Sequence, residues 1–474
     1  MYIQKMYING EWRSSAEKLE VKNPATLEVI GFIPNGGAEE ATEAVDAAHA
    51  ALKSWSALTA NDRAGLMMKW HALIGEHTRE LAEIMTMEQG KPLKEAVGEI
   101  AYANSFISWY AEEGKRVYGQ TIPASSPNKR IWVQKQPVGV IAAITPWNFP
   151  ASMITRKVAP ALAAGCTVVL KPSEETPFTA LKLAELAEQA GIPAGVINLV
   201  TGDAVPIAEA WQWDERVRKI SFTGSTAVGK KLMQGAAATV KKISLELGGH
   251  APYIVTANCD LDKAVEGFIV SKFRNGGQTC VCTNRVYVEE TIAEEFAKLA
   301  AQRTAQLKVG NGMDEGVVIG PLINAGAVEK VLCQIEDAKS KGGQILTGGE
   351  ALQDAQGHFM QPTVIMNATD EMECMALETF GPLAPITTFR TLEEAVMRAN
   401  HSPYGLAAYV FTERISEALY AAETLEYGIV GVNDPLPSTA QAPFGGFKQS
   451  GLGREGGHFG IEEYLEIKYI SLGL

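Results

Sequence analysis

Three segments of this 474-residue chain carry residues whose types and order could do chemistry. In Phe273-Arg-Asn-Gly-Gly-Gln-Thr-Cys280 a cysteine follows two glycines, with Asn275 and Gln278 as polar neighbours available for contacts. Glycines let the backbone turn tightly and approach a ligand, and the thiol then lies on an irregular segment, where function concentrates. Free cysteines are more often inert core residues, so it is this setting that singles out Cys280 from Cys166, Cys259, Cys282, Cys333 and Cys374. Glu246, in Leu245-Glu-Leu-Gly-Gly249, is an acid between two leucines at the end of an apparent strand. Such a residue is either turned to solvent or partly buried with a raised pKa, and the second state is what a general base for water near neutral pH requires. The residues alone leave both states open.

Two glycine motifs invite nucleotide readings. Gly224-Ser-Thr-Ala-Val-Gly229-Lys230-Lys231 follows a strand ending at Phe222 and opens a helix, as a phosphate loop does. Lys231 stands where a hydroxyl ligand for magnesium is needed, which argues against a nucleoside triphosphatase. Backbone amides at Gly224 and Ser225 can still hold the diphosphate of a metal-free dinucleotide. Gly451-Leu-Gly453-Arg-Glu-Gly456 spells GxGxxG but has no preceding strand and no later acid in a βαβ unit, so it reads as a flexible turn.

These groups need a scaffold. Tyr7 to Trp12 reads as a hairpin with an Asn-Gly turn, and Ala/Leu/Glu-rich helical stretches run from Ala38 to about Val117, expected to pack on one side of a sheet. From Val138 the pattern becomes short β-branched runs, each followed by a helical segment: Val138 to Thr145, Thr167 to Leu170, Val196 to Val200 and Lys219 to Phe222. That alternation predicts a parallel sheet with crossover helices. A helix over Asp260 to Phe273 and strands near Ala251 to Val255, Val286 to Val288, Ile386 to Phe389 and Ala408 to Phe411 predict a second α/β domain. At ~150 residues per domain the length alone suggests two to four.

Composition excludes several classes. Hydrophobic residues make up 46% and charged ones 20%, as in a chain that can bury a core. With 42 Lys and Arg against 55 Asp and Glu, the formal charge of -13 repels a phosphate backbone, so no nucleic-acid partner is expected. The longest near-apolar run, Val158 to Leu170, contains Pro160 and Gly165 and is too short to span a membrane. The first dozen residues carry Lys5 and Glu11 without a long apolar core, so a cytoplasmic location is expected. The cysteines are too sparse for a disulfide scaffold and lack CxxC spacing, so neither stapling disulfides nor structural zinc is expected.

Seven motifs then occur in order: Thr145-Pro-Trp-Asn-Phe-Pro150, Lys171-Pro-Ser-Glu174, Phe222-Thr-Gly-Ser225, Leu245-Glu-Leu-Gly-Gly249, Gly277-Gln-Thr-Cys280, Glu378-Thr-Phe-Gly-Pro382 and Pro443-Phe-Gly-Gly-Phe-Lys-Gln-Ser450. Together they resemble the NAD(P)-dependent aldehyde dehydrogenase superfamily over essentially the whole chain, most like its succinate-semialdehyde dehydrogenases. The resemblance implies an α/β fold with a Rossmann-type dinucleotide-binding domain (1–118 and 138–248), an α/β catalytic domain (249–447) and a small β bridging and oligomerisation element (119–137 and 448–474). Lys129 to Gln136 alternates like an oligomer-edge strand, and a homodimer or homotetramer is expected.

The resemblance also implies roles. Cys280 would attack the aldehyde carbonyl, the Asn148 side-chain amide and the Cys280 N–H would receive the oxyanion, and Glu246 would activate water to hydrolyse the thioester, with no metal. Gly224 and Ser225 would meet the cofactor diphosphate, Trp147, Asn148 and Leu247 would border the nicotinamide, and Glu378 would bond its ribose. Lys171, Pro172, Ser173 and Glu174 match the stretch at the adenine ribose, where a carboxylate would repel a 2′-phosphate, which favours NAD over NADP. Arg156, Arg274 and Ser438 match the residues that hold a substrate carboxylate, although either arginine could instead form a structural ion pair. Cys282 matches a cysteine that in some relatives forms a reversible disulfide with the nucleophile, which in an extended segment needs the loop to bend. Succinate semialdehyde is therefore the expected substrate, and glutarate semialdehyde or a broader aldehyde range the alternative. A CoA-acylating dehydrogenase, which needs no water-activating acid, is opposed by Glu246, and a non-catalytic relative by the presence of Cys280, Glu246 and Asn148.

Overall fold

A computed structural model describes residues 4–352 and 356–474. Two large sheets, both rich in parallel strands and flanked by helices, account for most of it, as the α/β pattern predicts. In the first, the order is Glu11–Arg13, Met6–Ile8, Ile197–Leu199, Thr167–Lys171, Val140–Ile144, Val217–Thr223, Lys242–Glu246 and Gly451–Leu452. The five strands from Ile197–Leu199 to Lys242–Glu246 are mutually parallel. Counted along the chain they run third, second, first, fourth, fifth, so the direction of winding reverses between Val140–Ile144 and Val217–Thr223. Ligands of open α/β sheets bind at such a reversal, beyond the carboxyl ends of the strands.

The hairpin forms as expected, with Asn9 and Gly10 at φ 53° and 76°, the left-handed pair that a tight primed turn demands. The helices after Ala38 do not share one side of the sheet. Ala41, Ala44, Val45 and Ala48 of helix Ala38–Ala57 pack with Val140, Ala142 and Val169, whereas helices Ala60–Glu76 and Leu93–Glu113 pack with Ile141, Ala143 and Val168. Alternate residues of one parallel strand point to opposite faces, and both faces are apolar, so the helices must divide to cover both.

The second sheet runs Gln344–Thr347, Thr363–Met366, Leu383–Phe389, Thr283–Glu289, Ala251–Val255, Ala407–Phe411 and Ile429–Val432, antiparallel only at its first pair. The chain passes directly from the carboxyl end of Lys242–Glu246 into Ala251–Val255, so the outlet of the first sheet faces the inlet of the second.

Two further expectations are corrected here. Lys129–Pro137 is the central strand of a three-stranded sheet, not an edge: it pairs with Gln120–Ile122 on one side and along nine residues with Leu465–Gly473 on the other. Ile131, Trp132 and Val133 are all half-buried, so the alternation of residue types does not mark an edge strand. The GxGxxG segment is no flexible turn. Gly451–Leu452 pairs antiparallel with Leu245 and Glu246, and a Cβ on Gly451 would meet the Leu245 carbonyl at 2.1 Å, so the glycine permits a backbone approach, not a phosphate grip. No helix among the described residues is long and apolar enough to cross a membrane.

Candidate active site

The loops after the two strands at the reversal build one cavity. Thr145 to Ser152 leaves Val140–Ile144, and Gly224 leaves Val217–Thr223 before Ser225 caps helix Thr226–Ala236 by accepting from Val228 N at 3.3 Å. A Cβ on Gly224 would meet the Phe222 ring at 2.4 Å, so only glycine gives this cradle its shape. Trp147, Asn148, Gly224, Ser225, Leu247 and Glu378 line the cavity, of about 250 Å³, together with Cys280. Burial pushes the Glu378 carboxyl up to about 7 even though Gly249 N donates to it at 2.8 Å. Lys171, Pro172, Ser173 and Glu174 lie outside this cavity, continuing from the neighbouring strand Thr167–Lys171, whose Lys171 carbonyl accepts from Thr145 N at 3.1 Å. Lys171 is buried and ion-paired with the half-exposed Glu174.

A second cavity, of about 270 Å³, meets the first at Cys280 and Met153, which line both. Arg156, Arg274 and Ser438 come together on its wall, as the motifs implied. Their environments differ. Arg274 has no ion-pair partner among the described residues, and its guanidinium stands 5.3 Å from the centre of the Phe149 ring. Arg156 is buried, with Nε 2.8 Å from Glu455 Oε2 and its guanidinium carbon 3.9 Å from the centre of the Phe444 ring. It is thus both a structural ion pair and a cavity wall. Arg156 Nη2, the Tyr102 hydroxyl and the Ser152 hydroxyl are all buried without a hydrogen-bond partner, and all three residues line this cavity. Unpaired buried donors are costly, so their convergence on one apolar-walled space marks a place for an anionic or polar ligand.

Cys280 is delivered by helix Leu261–Phe273, capped by Asp260, and a glycine loop in which Asn275, Gly276 and Gly277 take φ of 51°, 62° and 75°. Gly277 has no room for a Cβ, which would meet the Gly381 carbonyl at 2.3 Å. Asn275 and Gln278 do not reach toward a ligand. Asn275 Nδ2 donates to the Asn148 carbonyl at 3.0 Å, and Gln278 Oε1 accepts from Ile323 N at 2.9 Å, so both bind the loop to its surroundings. Their polarity serves buried backbone groups, which in an irregular loop have no ladder to pair with. Asn148 Nδ2 donates to the Gln278 carbonyl at 3.1 Å. Burial pushes the Cys280 thiol up to about 12, with Arg156 pulling it the other way.

The segment after Cys280 is a turn, not extended: Cys282 N donates to the Thr279 carbonyl at 3.1 Å. Cys282 is buried, its thiol lies 3.2 Å from the Gly277 carbonyl, and it lines neither cavity. Glu246 ends its strand buried, which decides between the two states the sequence left open. Burial and the negative charge of Glu455 hold its carboxyl well above the usual range, against the pull of Arg156, Lys157 and Arg454. It too lines neither cavity, and its Oε2 has no partner. Among the described residues no group of His, Cys, Asp and Glu side chains is placed to hold a metal ion.

The model of the Aldehyde dehydrogenase family matches residues 12–470. The chain belongs to the aldehyde dehydrogenase family. It is 53% identical to the succinate-semialdehyde dehydrogenase [NADP(+)] of Escherichia coli and 52% identical to a glutarate-semialdehyde dehydrogenase of Pseudomonas putida, in each case over 100% of this chain and 98% of the relative. The crystal structure of a succinate-semialdehyde dehydrogenase from Burkholderia pseudomallei superposes with a TM-score of 0.98 at 52% identity, covering 99% of this chain and 98% of that one.

Within this aldehyde dehydrogenase, the motifs overlooked several residues of the site. Glu95, Gly98, Glu99 and Tyr102 recur at three- and four-residue steps on helix Leu93–Glu113 and present one face to the second cavity. Acids and a tyrosine on the inward face of an otherwise alanine-rich helix were the available signal. Phe380 in the first cavity lies within the Glu378–Pro382 motif without having been singled out, whereas Lys330 in that cavity and Glu455 behind the second had no comparable signal.

Proposed function

We propose that this enzyme oxidises succinate semialdehyde to succinate with NAD(P)+, with Cys280 as nucleophile. The observation that carries the proposal is that Cys280 lines both cavities, one shaped for a dinucleotide and one carrying cations and unpaired donors. The glycine cradle at Gly224, the helix start at Ser225 and the Glu378 carboxylate fit a dinucleotide, which when bound accepts a hydride from carbon. The Cys280 thiol gives up its proton to solvent, its sulfur bonds to the aldehyde carbon as the carbonyl π pair moves onto oxygen, and the resulting oxyanion is received by the second N–H of the Asn148 amide and the Cys280 N–H. Loss of hydride leaves a thioester. Glu246 takes a proton from water, whose oxygen bonds to the acyl carbon as the carbon–sulfur bond breaks, giving carboxylate and thiol. Because Glu246 lines neither cavity and nothing holds its Oε2, this step requires the side chain to rotate toward the thioester.

Arg274 and Ser438 are assigned to the acid tail of the substrate, with Arg156 Nη2 and the Tyr102 hydroxyl as further donors. Glutarate semialdehyde remains the second reading, since one methylene discriminates by only ~1–3 kcal/mol. Glu174 is already paired with Lys171, so its charge is largely spent before a 2′-phosphate arrives, and both NAD and NADP suit the site. Cys282 retains a proposed role as redox partner of Cys280, supported by its place at the end of the same turn. We further infer that the domains are 1–118 with 138–248, 249–447, and 119–137 with 448–474, a division supported by the three largest sheets apart from Gly451–Leu452, that the enzyme is a cytoplasmic homodimer or homotetramer, and that the contacts use Leu465–Gly473, where Ile467 and Tyr469 are exposed. Initial rates of NADH and NADPH formation across carboxylated and uncharged aldehydes of equal length test the substrate assignment. Equal turnover of the uncharged series would overturn it.

A further inference from the structure

Lys91 lines the second cavity, yet its ammonium is committed elsewhere. The residue is 2% exposed, and its Nζ donates to the carboxylate of Glu99 and to the Asn148 carbonyl at 2.7 Å, while lying 4.0 Å from the centre of the Phe149 ring. Two of the three ammonium hydrogens are committed to these hydrogen bonds, and the charge is already balanced by Glu99. Glu99, 5% exposed, accepts the lysine on one oxygen and on the other accepts Ala151 N at 3.0 Å and Ser152 N at 3.2 Å. One buried ion pair therefore grips the segment 148–152 at both ends.

Replacing a buried ion pair by apolar residues is often neutral or stabilising, so stability alone is a weak reason for this one. What it does in the structure is orient a peptide. Fixing the Asn148 carbonyl and the amides of Ala151 and Ser152 fixes the planes on either side of Phe149 and Pro150, and with them the direction of the Asn148 side chain. Asn275 Nδ2 reinforces the same carbonyl at 3.0 Å, and the Gln278 carbonyl holds one of the two Asn148 amide hydrogens at 3.1 Å, leaving the other for the cavity.

We propose that Lys91, held by Glu99, is a positioning residue that sets the Asn148 amide in the geometry needed to receive the oxyanion at Cys280. The proposal rests on the reading of Asn148 as oxyanion donor given above. Misplacing such a donor by about 1 Å costs on the order of 10- to 100-fold in rate. A positioning role predicts a loss confined to the step in which the oxyanion forms, with binding unaffected.

The experiment is a double-mutant cycle on the full-length enzyme, read as the pre-steady-state rate of NADH or NADPH formation, the aldehyde KM and the cofactor dissociation constant. Lys91→Met is expected to slow the burst about 10- to 100-fold, with KM and cofactor affinity within about twofold of wild type. In an Asn148→Ala background the same substitution is expected to cause no further loss, because the group it positions is gone. Lys91→Arg, which keeps a cation for Glu99 and a donor for the carbonyl, is expected to recover most of the rate. Equal factors in the two backgrounds, or a change in KM or cofactor affinity without a change in the burst, overturn the proposal. If Lys91→Met does not fold, Glu99→Gln, which keeps the shape of the pair, is judged by the same non-additivity criterion. An Asn148→Ala enzyme with an undiminished burst instead overturns the oxyanion reading itself.

Discussion

Arg156 Nε lies 2.8 Å from Glu455 Oε2, and the other oxygen of that carboxylate is held by Lys157, deep behind the cavity whose wall Arg156 also forms. The two arginines assigned to the substrate tail are therefore unequal. Removing Arg156 leaves Glu455 buried with half its compensation, a loss of about 3–5 kcal/mol by the usual cost of breaking such a pair. Removing Arg274, which is half-buried and has no ion-pair partner among the described residues, strands less: the buried Glu95 loses one of the two cations acting on it and keeps Lys91. Arg274→Gln is expected to raise KM for carboxylated aldehydes by about 10- to 100-fold, one charged hydrogen bond or a little more, with Tm unchanged. Arg156→Gln is expected to lose substrate affinity and several degrees of Tm together. Calorimetry beside steady-state kinetics checks this, and an equally destabilised Arg274→Gln protein would contradict the asymmetry.

The Cys280 thiol, pushed up to about 12 by burial, is protonated at neutral pH in the free enzyme. Only the thiolate reacts, so inactivation by iodoacetamide without cofactor is expected to rise about tenfold per pH unit across pH 7 to 9, with no plateau. With the cationic oxidised nicotinamide assigned to the first cavity, which Cys280 lines, saturating oxidised cofactor is expected to speed the reaction at pH 7. A plateau below pH 8 without cofactor would show that the thiolate is already formed at rest.

Glu246→Gln is expected to leave a burst of about one NADH per site followed by slow turnover, since the base role assigned to Glu246 lies in deacylation, after the hydride has left. The same variant has a signature in stability. The folded carboxyl of Glu246 lies well above its unfolded value because of burial. Its contribution is therefore fully present at pH below the unfolded pKa and is lost as pH rises through the folded one. Glutamine stays neutral throughout, so the Tm of Glu246→Gln minus that of wild type is expected to grow between pH 5 and 9. A gap that shrinks with rising pH would mean the acid is ionised and satisfied in place.

What could be read from the chain was what is local to it. Ala251–Val255 is visible as a buried β-branched run, and the helix ending at Phe273 as an apolar period with Asp260 as its cap. Gly224 itself, and Cys280 three residues beyond Gly277, stand out because a missing Cβ is itself a statement about close approach. Glu455 could not be read in this way: it meets Lys157 across 298 positions, and its segment looked like a loose glycine turn. Asn275 and Gln278 misled for the opposite reason, since polar residues beside a nucleophile look like ligands when they serve the backbone. The division of helices between two sheet faces depends on tertiary packing that no single helix pattern encodes.

Cofactor preference is expected to turn on one ion pair. An unpaired carboxylate at the end of Thr167–Lys171 would reject a 2′-phosphate, and an unpaired lysine would attract it; with Lys171 and Glu174 joined, neither effect is expressed fully. Burial lowers the Lys171 pKa while Glu174 raises it, so losing the acid leaves a buried amine whose charged form an incoming phosphate would restore. Glu174→Ala is accordingly expected to shift the ratio of kcat/KM for NADP over NAD upward by roughly tenfold, one charge-assisted hydrogen bond. Lys171→Met is expected to shift it the other way, because Glu174 is then left to repel the phosphate alone. Steady-state titration of each cofactor at fixed aldehyde measures both ratios. Movement of the two variants in the same direction would place the discriminating contact elsewhere in the adenosine site.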